Sequence, residues 1–147
     1  MEPILENRQE IEAMLAEIRQ ARERTLMLLV NLTEADFATP TSMERWTDVR
    51  RVLLRFGDHM REHANQAEHT RDLIERTPSM PQRMLMEAEM AYGKLLACTI
   101  GLNDADCNQA PPDGGWSIRQ VFVHALETER LYLSVIEKAL ERQAQAK

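Results

Sequence analysis

Hydrophobic residues recur three or four positions apart along four long stretches of the chain, with polar and charged residues between them. This spacing places apolar side chains on one face of an α-helix, whereas the strict alternation typical of a strand does not occur in the sequence. Residues that break helices separate the stretches: Pro40, the pair Pro78 and Pro81, and the run from 103 to 115. The sequence therefore predicts an all-α protein.

The ends of the four predicted helices follow from capping residues and prolines. The first helix is predicted from Ile4 to Leu32, the second from a Thr47 cap toward Thr77, the third from Pro81 to Gly101, and the fourth from a Ser117 cap to about Gln143. Helices of roughly 20 to 30 residues extend about 30 to 45 Å, which is the length that a bundle needs. We therefore expect a four-helix bundle.

The two halves of the chain also resemble each other. The segments LTEADFATPTSMERW (32–46) and LNDADCNQAPPDGGW (102–116) place Leu, Ala, Asp and Trp at the same intervals. The offset between residues 32 and 102 also pairs Met14 with Met84 in the preceding helices. After one residue is dropped from the alignment, the match continues into the helices that follow the two segments. The repeat favours a duplicated helical hairpin. A chance likeness between two helical hairpins stays open as the alternative.

Charge and composition narrow the class of protein. The net charge is −6 and the longest basic run is the pair Arg50 and Arg51, which argues against binding to nucleic acid or to an anionic membrane. The sequence shows no secretion signal and no apolar run of membrane-spanning length. We expect a single domain over residues 1–147, in the cytoplasm. Cys98 and Cys107 form no CxxC pair and suit a reducing compartment, although a disulfide in a secreted protein stays open.

The candidate chemistry lies in three of the four histidines. His59 and His63 stand one helical turn apart, on the face that also carries Phe56, so both are expected to point toward the bundle interior. Two such imidazoles bind one ion, and a third, His124 on the last predicted helix, leaves positions open for water or substrate. His69 lies about 80° around the helix from His59, in the direction away from His63, and is excluded from the candidate ligands. The alternative is that these histidines are polar surface residues that pair with neighbouring charged side chains.

The segment GGWSIRQVFVHALETERLYL, together with LTEADF leading into WTDVRRVLLRFGDHMREH, resembles the DinB-like superfamily, which includes the YfiT-type metal-dependent proteins. The resemblance implies a bundle of up-down-down-up topology with pseudo-twofold duplicated hairpins. It also implies a divalent metal, zinc or nickel, held by three histidines. Members of the family include transferases that use a low-molecular-weight thiol, and the small-molecule chemistry expected here is that of such a transferase or of a metal-dependent hydrolase.

The family pattern carries one histidine on the second helix and an HxxxH pair on the fourth. In this sequence His124 stands at the first position of the pair, Thr128 at the second, and Arg55 in place of the single histidine. Two histidines follow Arg55 one and two turns later, which suggests a mirror arrangement of the same site. The resemblance thus implies His59, His63 and His124 as metal ligands and Arg55, Thr128 and Tyr132 as substrate-binding residues.

Two functions are compatible with these residues. The first is a metal-dependent enzyme in which the ion activates a bound thiol or water toward a small molecule. The second is a non-catalytic helical bundle that serves as a binding or scaffold protein with a degenerate metal site. In either case the wide apolar face of the last helix predicts a homodimer.

Overall fold

The computed structural model describes residues 8–146, and every regular element in that range is helical. The elements are α1 (Gln9–Leu29), a 3-10 helix (Glu34–Ala38), α2 (Val49–Leu73), α3 (Met80–Ala97), α4 (Asp104–Asn108) and α5 (Ile118–Gln145). One isolated antiparallel bridge joins Pro40 to Asp48, and no strand forms within the described range. The predicted all-α class is confirmed. None of these helices is long and apolar enough to cross a membrane.

The long helices correspond to the four predicted ones, with different ends. The predicted start of the first helix, at Ile4, lies outside the described residues. The N-cap of α2 is Asp48 and not Thr47, because the Asp48 carboxylate accepts a hydrogen bond from the Arg51 backbone N–H at 2.9 Å. The same helix ends before the predicted Thr77. Glu75 adopts a φ of 57°, in the left-handed region, and a right-handed helix cannot continue through such a residue.

The other two long helices begin with capping boxes. Ser79 caps α3 through the Gln82 backbone N–H, while the Gln82 side chain accepts from the Ser79 N–H, so that Pro81 lies inside the first turn. Ser117 and Gln120 form the same arrangement at the start of α5, as the sequence predicts for Ser117. Each box satisfies two backbone groups that would otherwise lack partners.

Two short helices occupy the turns between the long ones. The Asp36 carboxylate accepts from the Thr33 backbone N–H at 2.8 Å, which starts the 3-10 helix. The Asp106 carboxylate accepts in the same way from the Asn103 N–H at 3.0 Å, which starts α4. The second of these helices was not predicted, because glycines and prolines flank it in the sequence.

The chain divides into two units, Met1–Ile100 and Gly101–Lys147. Within the first unit the 3-10 helix contacts α2, and within the second α4 contacts α5. Hydrophobic side chains in the described range are half-buried or exposed, and Ser117 is the one residue that is buried there. Most side-chain hydrogen bonds in the described range join residues within five positions of each other, in caps and along single helices. The single-domain assignment stays a prediction.

Candidate metal site

The imidazoles of His59 and His63 lie side by side on the exposed surface of α2, and not in a buried interior as the sequence predicts. The spacing of four residues brings them onto one face of the helix, as expected. Their Nε2 atoms are 3.0 Å apart, and the rings meet edge to face with their centroids separated by 4.3 Å. Both Nε2 atoms thus converge on the same small volume, at a surface that an ion can reach.

The spacing of these two nitrogens suits a shared metal ion. Imidazole nitrogens bind zinc at about 2.0–2.1 Å, so two of them at a tetrahedral angle lie about 3.3 Å apart. The observed Nε2 separation of 3.0 Å is within a few tenths of an ångström of that value.

A glutamine that the sequence interpretation missed contacts this pair. The Nδ1 atom of His63 lies 2.9 Å from Oε1 of Gln66, one turn further along α2. Metal-binding histidines usually donate their second ring N–H to an oxygen that orients the ring. The signal in the sequence is the spacing of three residues between His63 and Gln66, which places both side chains on one face of the helix.

Arg55 lies on the same face of α2, and an ion pair compensates its positive charge. Its guanidinium forms a two-pronged ion pair with the Glu62 carboxylate, at 2.8 and 2.9 Å. The hydrogen bonds from Arg55 lower the pKa of Glu62, and the same contact raises the pKa of Arg55. Asp58, three residues after Arg55, pairs with Arg61 at 2.5 Å. The repulsion that Arg55 exerts on a cation bound nearby is therefore reduced by Glu62.

The Trp46 indole also contacts the Arg55 guanidinium. The Arg55 guanidinium carbon lies 5.2 Å from the centre of the Trp46 ring, and that of Arg45 lies 5.3 Å away. Contacts of this kind are cation–π interactions. The Arg55 guanidinium therefore contacts both the Trp46 indole and the Glu62 carboxylate.

The remaining candidate residues belong to the second unit. His124 lies on α5 with its ring centroid 4.9 Å from that of Trp116. Thr128 is half-buried and Tyr132 is exposed on the same helix, four and eight residues further along. The assignment of His124 as third metal ligand and of Thr128 and Tyr132 to substrate stays a prediction.

Candidate residues on the two helices occupy equivalent positions. Arg55 and His124 are each the seventh residue of their helix, counted from Val49 and Ile118. The eleventh residues are His59 and Thr128, and the fifteenth are His63 and Tyr132. Both seventh residues contact the tryptophan that precedes their helix. The local repeat therefore extends to the candidate site residues.

A shallow groove of about 350 Å³ begins at His63 and follows α2 toward its C-terminal end. It is lined by His63, Gln66, Ala67, Thr70, Arg71 and Ile74. The Arg71 guanidinium donates to uncharged oxygens, the Arg76 carbonyl at 2.6 Å and the Gln82 amide at 3.4 Å. A cation held by neutral partners at the wall of a groove attracts an anionic group.

Across residues 8–146 the structure brings no three His, Cys, Asp or Glu side chains together in a metal-binding arrangement. Comparison of the chain with protein-family models, with curated proteins and with solved structures found no match in any of the three.

Proposed function

We propose that the protein binds one divalent transition-metal ion through the Nε2 atoms of His59 and His63, with His124 as the third ligand. The observation that carries the proposal is the separation of 3.0 Å between the two Nε2 atoms. Imidazole ligands suit zinc and nickel, and a site with three protein ligands keeps a position for water or substrate.

The proposed activity is a small-molecule reaction of the kind expected from the family resemblance, namely transfer to a low-molecular-weight thiol or hydrolysis. When bound, the ion supplies the Lewis acidity that makes a coordinated water or thiol more acidic. The groove that begins at His63 has room for a small molecule, and Arg71 provides a positive charge to bind an acidic group on it. Arg55, Thr128 and Tyr132 are proposed to contact the same substrate.

The proposal includes the architecture of the family. We propose that the four long helices form an up-down-down-up bundle from two related hairpins. Support comes from the two short helices, which begin with equivalent side-chain contacts, Asp36 to Thr33 and Asp106 to Asn103. Further support comes from the matching positions of the tryptophans before α2 and α5.

Titration of metal into protein purified without a histidine tag tests the site. We expect one zinc or nickel ion per chain, measured by calorimetry. His59→Ala and His63→Ala should each weaken binding at least about a hundredfold, which is about 2.7 kcal/mol. His124→Ala should weaken it as well, and His69→Ala, which removes a histidine outside the pair, should leave it unchanged. The proposal fails if wild-type protein binds neither metal, or if His59→Ala and His69→Ala bind it equally well.

A non-catalytic, dimeric binding protein is the second candidate. The observation that favours it is the exposed apolar surface of α5, formed by Val121, Val123, Leu126, Leu131, Leu133, Val135, Ile136 and Leu140. Exposed apolar surface of this kind is often buried in an interface. Light scattering at micromolar concentration should give the mass of a dimer under this proposal, and the mass of a single chain would remove it.

A further inference from the structure

We infer that Gln66 is a positioning residue of the candidate metal site, which fixes the tautomer of His63 so that Nε2 is free to bind the ion. The inference rests on the proposed metal-binding function, because it assigns the role of a neighbour to one of the proposed ligands. Its basis is the contact of 2.9 Å between His63 Nδ1 and Gln66 Oε1.

The chemistry of the amide decides which ring nitrogen of His63 carries the proton. An amide oxygen accepts hydrogen bonds and cannot donate one. The nitrogen that faces Gln66 Oε1 must therefore be the donor, so Nδ1 of His63 holds the proton in the neutral ring. Its Nε2 atom is left with a lone pair, which is the form that binds a metal ion.

The contact with His59 agrees with this assignment. The two Nε2 atoms are 3.0 Å apart, a hydrogen-bond distance at which one nitrogen donates and the other accepts. Since Nε2 of His63 is the acceptor, Nε2 of His59 is the donor. Metal binding through both Nε2 atoms would require His59 to carry its ring proton on Nδ1 instead, while the Nδ1 proton of His63 stays on His63 and keeps its hydrogen bond to Gln66 Oε1.

No carboxylate competes for this role within the surroundings of His63 that the structure describes. Glu62, the neighbour in sequence, directs both of its oxygens to Arg55. Gln66 lies one turn beyond His63 and also lines the groove. An orienting partner of this type affects metal affinity by about 10- to 100-fold in characterised sites.

The tautomer of His63 is measured directly by ¹⁵N NMR of the metal-free protein at about pH 8.5. We expect the proton on Nδ1 in the wild type and in Gln66→Glu, whose carboxylate also accepts. In Gln66→Met, which keeps the side-chain length and removes the acceptor, the proton should move to Nε2. Gln20→Met, at an exposed glutamine of α1, should leave His63 unchanged and serves as the control.

The inference is overturned if His63 carries its proton on Nε2 in the wild type, or if Gln66→Met does not change the tautomer. Zinc titration of the same variants adds a second readout. Gln66→Met should weaken binding about 10- to 100-fold and Gln66→Glu should restore it. Equal zinc affinity in wild type and Gln66→Met also overturns the positioning role. If no variant binds zinc while the tautomers behave as expected, the proposed function fails and the hydrogen-bond assignment for Gln66 is supported.

Discussion

The segment from Thr33 to Leu73 and the segment from Asn103 to Gln145 are built alike but carry different chemistry. In each, a side-chain contact starts a short helix, a tryptophan follows, and a long helix begins. In each, the short helix contacts the long one. The shared parts are determined by local hydrogen bonds, and the differences lie on the exposed face of the long helix.

The caps of the two long helices show how a single side chain changes local structure. α5 has Gln120 as its third residue, and the Gln120 amide accepts from the Ser117 backbone N–H, which completes a capping box. α2 has Arg51 there, which has no acceptor. Arg51 instead donates, through its backbone to one oxygen of Asp48 and through its guanidinium to the other. Both arrangements give hydrogen-bond partners to backbone groups at the start of the helix. The side chain of the third residue accepts a hydrogen bond in α5 and donates one in α2.

The candidate site positions differ in the same way. The seventh residue is a guanidinium on α2 and an imidazole on α5, and each contacts its tryptophan. The eleventh and fifteenth residues are both histidines on α2 and are Thr128 and Tyr132 on α5. The comparison indicates that the repeat provides equivalent positions and that α2 alone has a histidine pair at them.

The largest effect is expected from moving the pair to the other helix. In a chain with His59→Ala and His63→Ala, adding Thr128→His and Tyr132→His should restore zinc binding by at least about a hundredfold, or about 2.7 kcal/mol. The physical reason is that the two positions are one turn apart on the same face of α5, as His59 and His63 are on α2. Thr128→Ala with Tyr132→Ala is the matched control, and calorimetry is the measurement.

The transferred pair also sharpens the role of Gln66. The residue of α5 at the same position as Gln66 is Val135, which cannot accept a hydrogen bond. Binding should therefore be about 10- to 100-fold weaker than in the wild type, and Val135→Gln should recover it. Failure of the transferred histidines to bind any zinc would contradict the equivalence of the two helices.

A smaller effect is expected at the caps. Loss of an N-cap costs about 0.5–2 kcal/mol of the free energy of unfolding. Ser117→Ala should lie toward the upper end of that range because the side chain is buried and belongs to a capping box, and Asp48→Ala toward the lower end. Urea unfolding measures both. Ser42→Ala, at an exposed loop serine, should change stability by less than about 0.5 kcal/mol. If Ser42→Ala lost as much stability as Ser117→Ala, the loss in the cap variants could not be assigned to capping.

The smallest effect concerns the ion pair beside the histidines. Arg55 lowers the pKa of Glu62, so the pair contributes to stability above the ordinary glutamate pKa of about 4.3 and is lost as the pH falls through the lower, folded-state value. In Arg55→Gln the pKa of Glu62 should rise toward its ordinary range, followed by ¹³C NMR of the carboxyl group. Arg61→Gln, which removes the partner of Asp58, should leave Glu62 unchanged. An unaltered Glu62 titration in Arg55→Gln would show that the pair is absent in solution.

The sequence was informative wherever local rules determine the structure. Periodicity gave the helical class, and the Ser117 cap was correct because capping depends on neighbouring residues. Thr47 was wrong as a cap because Asp48, a stronger acceptor, stands next to it. α4 was missed because its capping box, from Asn103 to Asp106, lies within a run rich in proline and glycine.

At the candidate site, sequence spacing predicted that His59 and His63 lie next to each other. It did not predict the contacts that the neighbouring Glu62 and Gln66 side chains make. Glu62 reaches over two turns to Arg55, and Gln66 turns back toward His63. Such contacts depend on side-chain rotamers, which periodicity does not determine. His124 stays a prediction for a related reason, because a ligand on another helix depends on tertiary packing and not on spacing within one helix.

The most direct test of the metal site is NMR of the ¹⁵N-labelled protein with ¹¹³Cd as a substitute for zinc. We predict one bound ion whose resonance is coupled to the Nε2 atoms of both His59 and His63. Coupling to only one of them, coupling through Nδ1 of His63, or no bound cadmium would contradict the account.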